Sequence, residues 1–262
     1  MKKSISILVV GIVALGMGFM VASGRFSKPD EKLLVKVNVY QNEQFGLSFS
    51  YPDRYVVTEK EVGDAHRRHY SIVLIEKVNI KVSKNGEGPT AITVDMYQNN
   101  LDKQSIVSWL KNSNESNFKL SDGKYASTTV DGGEAIHYKR SGLYEGETVA
   151  LDYEDSILAF SVTYLTLEDR IRKDFEEVLK SVKFEPRQFS EEQVLEYLKT
   201  HISELSPQKE VLGGKFYITA FEFTGRSTGL VSYEDGHNAF NAEIEIARDN
   251  SGNIAVQSFT LK

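Results

Sequence analysis

The sequence predicts an α+β fold built on antiparallel sheet, on three observations. Helix-like and strand-like segments do not alternate strictly, which argues against a parallel α/β sheet. Three strand-like runs at 134–140, 148–153 and 157–165 follow one another with only Gly142 to Gly146 and Glu154-Asp155 between them, which reads as an antiparallel meander. After Pro186 the pattern restarts as one helix followed by four strand-like runs.

The first element is a leader at residues 1–25. Lys2 and Lys3 precede an apolar run from Ile5 to Val21, broken by Ser6, Gly11, Gly16 and Gly18 and closed by Arg25. These roughly 17 residues, at about 1.5 Å rise each, just reach across a hydrocarbon core of about 30 Å. The basic flank favours the inner side, so the expectation is an N-terminal membrane helix, a single-pass signal anchor with the bulk of the chain outside the cytoplasm. The alternative is a signal peptide. Val21-Ala22-Ser23 before Gly24 sets small residues for cleavage near Ser23, which would release the protein. A polar stalk at 26–36 follows, with Ser27, Lys28, Pro29, Asp30, Glu31 and Lys32.

A first folded region is expected over 37–186. Leu47, Phe49 and Tyr51 alternate with Ser48 and Ser50, and Pro52-Asp53 ends that strand in a turn. Further strands are expected at 70–76, 91–97 and 127–130, ahead of the meander. Ile106, Trp109 and Leu110 share one face of a short helix at 105–111. A stronger helix is expected at 166–182, with Leu167, Ile171, Phe175, Leu179 and Val182 at three- and four-residue spacing and a capping-box-like Thr166/Asp169 start.

Two stretches of this region resemble a known family. Tyr40, Phe45-Gly46-Leu47-Ser48-Phe49 and Tyr51-Pro52 look like the opening of PsbP-like domains. Phe160-Ser161-Val162, Phe175 and Leu179-Lys180-Ser181-Val182-Lys183-Phe184 look like their closing strand, helix and short strand. The resemblance spans about residues 38–185 and implies an α/β/α sandwich with antiparallel sheet. Tyr55 stands where such domains often carry Trp, and no metal-binding residue is carried over from them.

The second region, 187–262, is expected to be a small helix-plus-four-strand antiparallel domain. Ser190 with Gln193 forms a capping-box pattern, and Val194, Tyr197, Leu198, Ile202 and Leu205 make an apolar stripe. Strands follow at 215–223, 229–233, 239–247 and 254–261, with turn chemistry at Gly213-Gly214, Asp235-Gly236 and Asp249-Asn250-Ser251-Gly252. On element order alone, a cystatin-like arrangement fits.

Composition narrows the chemistry. With 262 residues and 40% hydrophobic content the chain can bury one large core or two modest ones. Its formal net charge of -6 disfavours nucleic acid as a partner. It has no cysteine, which excludes disulfides, thiolate metal sites, a cysteine nucleophile and lipid attachment at a lipobox. There is no nucleophile elbow, P-loop, dinucleotide fingerprint or zinc-protease motif. No catalytic residue and no cofactor is assigned.

Histidines and acids carry the remaining candidate chemistry. His66 and His69, flanked by Gly63, Arg67 and Arg68, read as a solvated loop, and His137 and His201 show no partner in the sequence. Glu234, Asp235 and His237 are the candidate acid–histidine or metal-ligating set, weighed against a simple hairpin turn at Asp235-Gly236. The turn is the favoured reading, because three ligands on one tight turn would point to different sides of the chain. Asp249 to Asn253 reads as a hairpin loop that fails EF-hand spacing. Asp152 reads as a surface residue, and Tyr217, Tyr233 and Phe240 as sheet core. The resulting expectation is an exported, membrane-anchored, non-enzymatic protein, a binding or assembly module with an envelope protein as partner. The alternatives are an envelope hydrolase using Glu234 to His237 and a cystatin-like inhibitor or sensory domain.

Overall fold

The computed structural model describes residues 36–63, 68–80, 88–99, 103–211 and 213–262. The apolar run from Ile5 to Val21, the stalk through residue 35, and His66 lie outside the described residues. Among the described residues, no helix is long and apolar enough to cross a membrane. The chain is α+β with antiparallel sheets, and it divides into two compact units. Among the described residues, one holds residues 36–40 together with Phe49–Val182; the other holds Gln41–Ser48 with Lys183–Lys262.

Strands β1 (Val37–Asn42) and β2 (Leu47–Pro52) open the described chain. With β10 (Lys183–Phe184) they form a short sheet in the order β1-β2-β10. The first unit is built on a seven-stranded sheet. Its strands are β3 (Tyr55–Val62), β4 (His69–Glu76), β5 (Ile92–Gln98), β6 (Ala126–Val130), β7 (Gly133–Ser141), β8 (Glu145–Tyr153) and β9 (Ser156–Tyr164). The order across the sheet is β3-β4-β5-β9-β8-β7-β6, antiparallel throughout. The expected meander is β7-β8-β9.

Strand β9 lies mid-sheet and is buried on both faces, which is why Ile157, Leu158, Ala159 and Phe160 run apolar without alternation. Ile157 and Ala159 join Ile136, Tyr138 and Ala150 in one cluster with Trp109 and Leu110 of helix α1 (Ile106–Asn112). Successive side chains on a strand point to opposite faces. Phe160 and Val162 therefore face the other way, where Val149 and Val162 meet Phe175 and Leu179 of helix α2 (Arg170–Ser181). The two helices cover opposite faces of the sheet.

Helix α2 starts four residues later than its apolar spacing suggested. The Asp169 carboxylate closes the preceding turn instead, accepting from the N–H groups of Leu165 at 2.7 Å and Thr166 at 3.1 Å and from Thr166 Oγ1 at 2.8 Å. Leu167, counted into the apolar stripe, is exposed. Strands β1 and β3 had no signal in the sequence. In β3 only Tyr55 is buried, and Glu59, Lys60 and Glu61 stand exposed on a sheet edge. An edge strand with two wetted faces needs no alternation, and its charges discourage pairing with other chains.

In the second unit, helix α3 (Glu191–Leu205) packs on a sheet ordered β11-β12-β13-β14, formed by Tyr217–Phe223, Thr228–Glu234, Ala239–Arg248 and Ile254–Leu261. The capping box is made: Ser190 Oγ accepts from the Gln193 N–H at 3.2 Å, and Gln193 Oε1 accepts from the Ser190 N–H at 2.9 Å. Val194, Leu198 and Ile202 meet Phe221, Val231, Tyr233, Ala242 and Ile244 in the core. Both outer strands carry a bulge. The register skips Thr219 in β11 and Gln257 in β14, a device that twists a free edge away from further pairing. Gly229 is required by close packing, since a Cβ there would stand 2.4 Å from Phe221 Cε2.

Every buried residue of this core lies between Phe189 and Ile246. A fragment of residues 187–262 is therefore expected to unfold cooperatively on its own, followed by circular dichroism against temperature. A broad, non-cooperative melt would mean that its core needs the rest of the chain.

Candidate functional site

The polar chemistry of the first unit gathers at three places. On the α2 side of the sheet, Glu147 of β8 is a hub. His137 Nε2 lies 3.2 Å from its Oε2, while Oε1 accepts from Arg172 Nε at 3.0 Å and from the Tyr164 hydroxyl at 3.2 Å. The Arg172 guanidinium also stacks over the Tyr164 ring, 4.8 Å from its centroid. His137, and then Arg172, hold the Glu147 carboxyl at a pKa of about 2, against burial that pulls the other way. The same partnership raises Arg172. His137, Glu147 and Arg172 line a pocket of about 230 Å³ beneath α2. His137 also lines a second groove, of about 430 Å³, where β7 runs past the end of β6.

The second place is on the α1 side. His69 Nε2 and Asp95 Oδ1 are 2.8 Å apart, and the His69 ring stacks on Tyr97 at 4.3 Å between centroids. Tyr97 in turn tilts against Trp109 at 5.3 Å, and burial raises its hydroxyl pKa. His69 is therefore no part of a solvated loop: it is the first residue of β4 and half-buried. The third place is a cleft of about 860 Å³, lined by Tyr51, Arg54, Arg170, Asp174 and Ser181 among others. Asp174 is buried there, paired with Arg54 and accepting from the Tyr55 hydroxyl at 2.7 Å. Arg54 Nε reaches Glu76 at 3.0 Å, and burial pushes the Tyr55 hydroxyl up to about 12.

The sequence had shown His137 and His201 without partners. Both have them. His201 Nδ1 lies 2.8 Å from the Tyr197 carbonyl oxygen and from Thr200 Oγ1, and its ring stacks on Tyr197. The missed partners His137/Glu147 and His69/Asp95 sit on neighbouring strands, so only strand order and register bring them together. Asp152, expected at the surface, is exposed.

Glu234, Asp235 and His237 lie at the β12–β13 connection. It is a four-residue loop rather than a two-residue turn, closed by the Asp235 N–H to the Asn238 carbonyl oxygen at 3.2 Å, with Gly236 at φ 87. Asp235 is buried and its side chain points inward. Oδ1 accepts from the N–H groups of His237 at 2.9 Å and Asn238 at 2.8 Å, and Oδ2 from Val211 at 3.1 Å. The N–H groups of Asn238 and His237 lower its pKa. Glu234 accepts from the Tyr217 hydroxyl, and His237 is exposed. The three side chains are thus turned to separate tasks. Among the described residues, no group of three or more His, Asp and Glu side chains is placed to hold a metal ion. Asp249 works the same way in its own loop, accepting from Ser251 and Asn253 N–H at 2.8 Å. Of the three aromatics expected in the core, Tyr233 is fully buried, Phe240 packs beside it, and Tyr217 is half-exposed at 49%.

Replacing His237 with Ala is expected to shift stability by no more than about 0.5 kcal/mol, as for an exposed side chain without partners of its own, checked by denaturant titration. Titration with zinc, calcium and manganese should give the same heats for both proteins. A His237-dependent, stoichiometric metal affinity would restore the acid–histidine site.

The architecture is that of an α+β protein with a helix-covered antiparallel sheet and a second small helix-on-sheet unit. No family model matches the chain, and no curated protein matches it. Among solved structures, cyanobacterial PsbP (CyanoP) from Synechocystis sp. PCC 6803 superposes with a TM-score of 0.39 at 11% identity, over 58% of this chain and 94% of that one. A protein from Bacteroides thetaiotaomicron VPI-5482 gives 0.35 at 9% identity, over 82% of this chain and 87% of that one.

Proposed function

We propose that this chain is an exported protein, held by its apolar leader at the outer face of a membrane, and that it serves there as a non-enzymatic binding or assembly module for an envelope protein. The observation that carries the reading is the way the ionisable groups of the first unit are spent on one another. Glu147 takes His137, Arg172 and Tyr164; Asp174 takes Arg54 and Tyr55; Asp95 takes His69. Acid–base or nucleophilic catalysis needs a group with a free lone pair or proton aimed at bound substrate. These groups brace the sheet and its helices, and the grooves beside them offer surface. The leader, with Lys2 and Lys3 before the run from Ile5 to Val21, supplies the address.

Alkaline carbonate extraction with N-terminal sequencing tests the location, and full-length chain found soluble in the cytosol would overturn it. Affinity capture of the tagged chain from solubilised membranes tests the role. A stoichiometric envelope protein is expected; turnover of a substrate by the purified chain, lost on changing Glu147, would replace this reading with an enzymatic one.

A further inference from the structure

Beyond Ala126 the edge of the seven-stranded sheet is unpaired and without a bulge among the described residues. Strand β6 ends at Ala126, opposite His137, while β7 continues to Ser141 and stays paired with β8 as far as Ser141↔Glu145. The hairpin between β6 and β7 is closed by Val130↔Gly133 around Asp131 and Gly132, both at positive φ (47 and 83), the mark of a two-residue type I′ turn. Hydrogen-bonding direction alternates along an antiparallel strand. Counted from that closing pair, Gly133, Ala135, His137, Lys139 and Ser141 turn their backbone N–H and C=O toward the β6 side. The β8–β9 hairpin, closed by Tyr153↔Ser156, gives the same parity from the opposite direction. So does the Gly142 N–H bond to the Tyr144 carbonyl oxygen. Lys139 and Ser141 therefore aim their backbone polar groups into the space beyond Ala126, where no strand is paired among the described residues.

That space is the groove of about 430 Å³. Leu120 and Tyr125, 43% and 40% exposed, form its apolar wall. Three cations, Lys124, Lys139 and Arg140, line it against two acids, Asp122 and Glu145. Asp122 holds Lys124 at 3.3 Å, and Glu145 accepts from Ser141 Oγ at 2.8 Å. Arg140 lies across β8 where Gly146 leaves room, since a Cβ there would be 2.9 Å from its Cζ, and its buried Nε–H has no hydrogen-bond partner among the described residues.

We propose that the open edge of β7 at Lys139 and Ser141 takes up a short extended segment of a partner polypeptide by strand addition, with acidic side chains of that segment meeting Lys139 and Lys124. The proposal rests on the reading of the chain as a binding module and gives that module its mode of recognition. Backbone bonds to Lys139 and Ser141 supply affinity, the wall of Leu120 and Tyr125 takes one apolar side chain, and the cations select charge. A second copy of this chain would bring the same cations to the same edge, so it is the poorer occupant.

The test uses the full chain in detergent and, as probe, a capped peptide of about six residues alternating valine and glutamate. Two controls accompany it: the same peptide with alternate backbone nitrogens methylated, and a valine–lysine version. The acidic peptide is expected to bind and to slow amide exchange at Lys139 and Ser141. Both controls, and the variants Lys139→Glu and Lys124→Glu, are expected to bind at least about tenfold more weakly, a loss of about 1.4 kcal/mol. Lys124 is 85% exposed, so its variant keeps the fold even if Lys139→Glu, facing Glu147, disturbs it. Equal binding of the methylated peptide, protection elsewhere in the chain, no binding at all, or self-association through this edge in sedimentation would overturn the proposal. An envelope partner still captured by both variants would overturn the edge and leave the module standing. Peptide binding with no partner captured would uphold the edge and overturn the module.

Discussion

Replacing Glu147 with glutamine is expected to cost about 2 kcal/mol at neutral pH and to remove part of the acid sensitivity of the fold. The amide keeps the shape but leaves the Arg172 guanidinium without its counter-charge. Breaking a fully buried pair costs about 3–5 kcal/mol; the smaller figure applies because the Arg172 side chain still reaches water, at 21% exposure. The pH dependence follows from the direction of the shift. Glu147 titrates at about 2 in the fold against an ordinary 4.5, so the unfolded chain binds its proton more tightly. Its contribution is fully present above about pH 4.5 and is lost as the pH falls toward 2. Stability of the parent minus that of Glu147→Gln, measured by denaturant titration from pH 7 to 2.5, should shrink across that window. A constant difference would mean that Glu147 is not held by its neighbours.

Replacing Phe160 with alanine is expected to have the largest effect, a loss of about 3–5 kcal/mol. Phe160 is fully buried in the middle strand of the sheet, on the α2 side, between partners Val149 and Val94. Its removal opens a cavity that paired strands on both sides keep from collapsing. A marginally stable unit would then be largely unfolded at 37 °C, since total stabilities run only about 5–15 kcal/mol. Thermal unfolding checks it: a drop of only a degree or two would mean that the sheet closes around the gap. In a full-length chain the melt of the second unit, whose core is separate, should stay where it is.

Both effects come from residues whose surroundings were unequally visible in the sequence. Phe160 stood in a strand-like run, and its place in a meander followed from the short connections around it. Glu147 stood in the expected loop before its strand, because Gly142 and Gly146 read as punctuation. In the structure Gly146 is inside β8, where its missing Cβ makes room for Arg140. The glycine signal was real, but close packing rather than a turn was its cause. The same ambiguity hid the turn at Asp131-Gly132: the strands on either side were read, but the dipeptide between them was left without a role.

The sequence by itself determined the elements whose evidence is local. Helix α3 was specified by Ser190, Gln193 and a stripe at helical spacing, and β9 by a strand-like run behind the short Glu154-Asp155 connection. The four C-terminal strands were marked by alternation between turn residues. These are properties of neighbouring residues, and burial of one face leaves a period that can be counted. Only the tertiary structure decided which polar groups meet. His69 and Asp95 are 26 residues apart and His137 and Glu147 ten, and each pair depends on strand order and on register to the residue. A shift of one residue would turn each side chain to the opposite face. The open edge at Lys139 and Ser141 was equally invisible, because it arises from one strand ending before its neighbour, and the length of a strand is set by what pairs with it rather than by its own side chains.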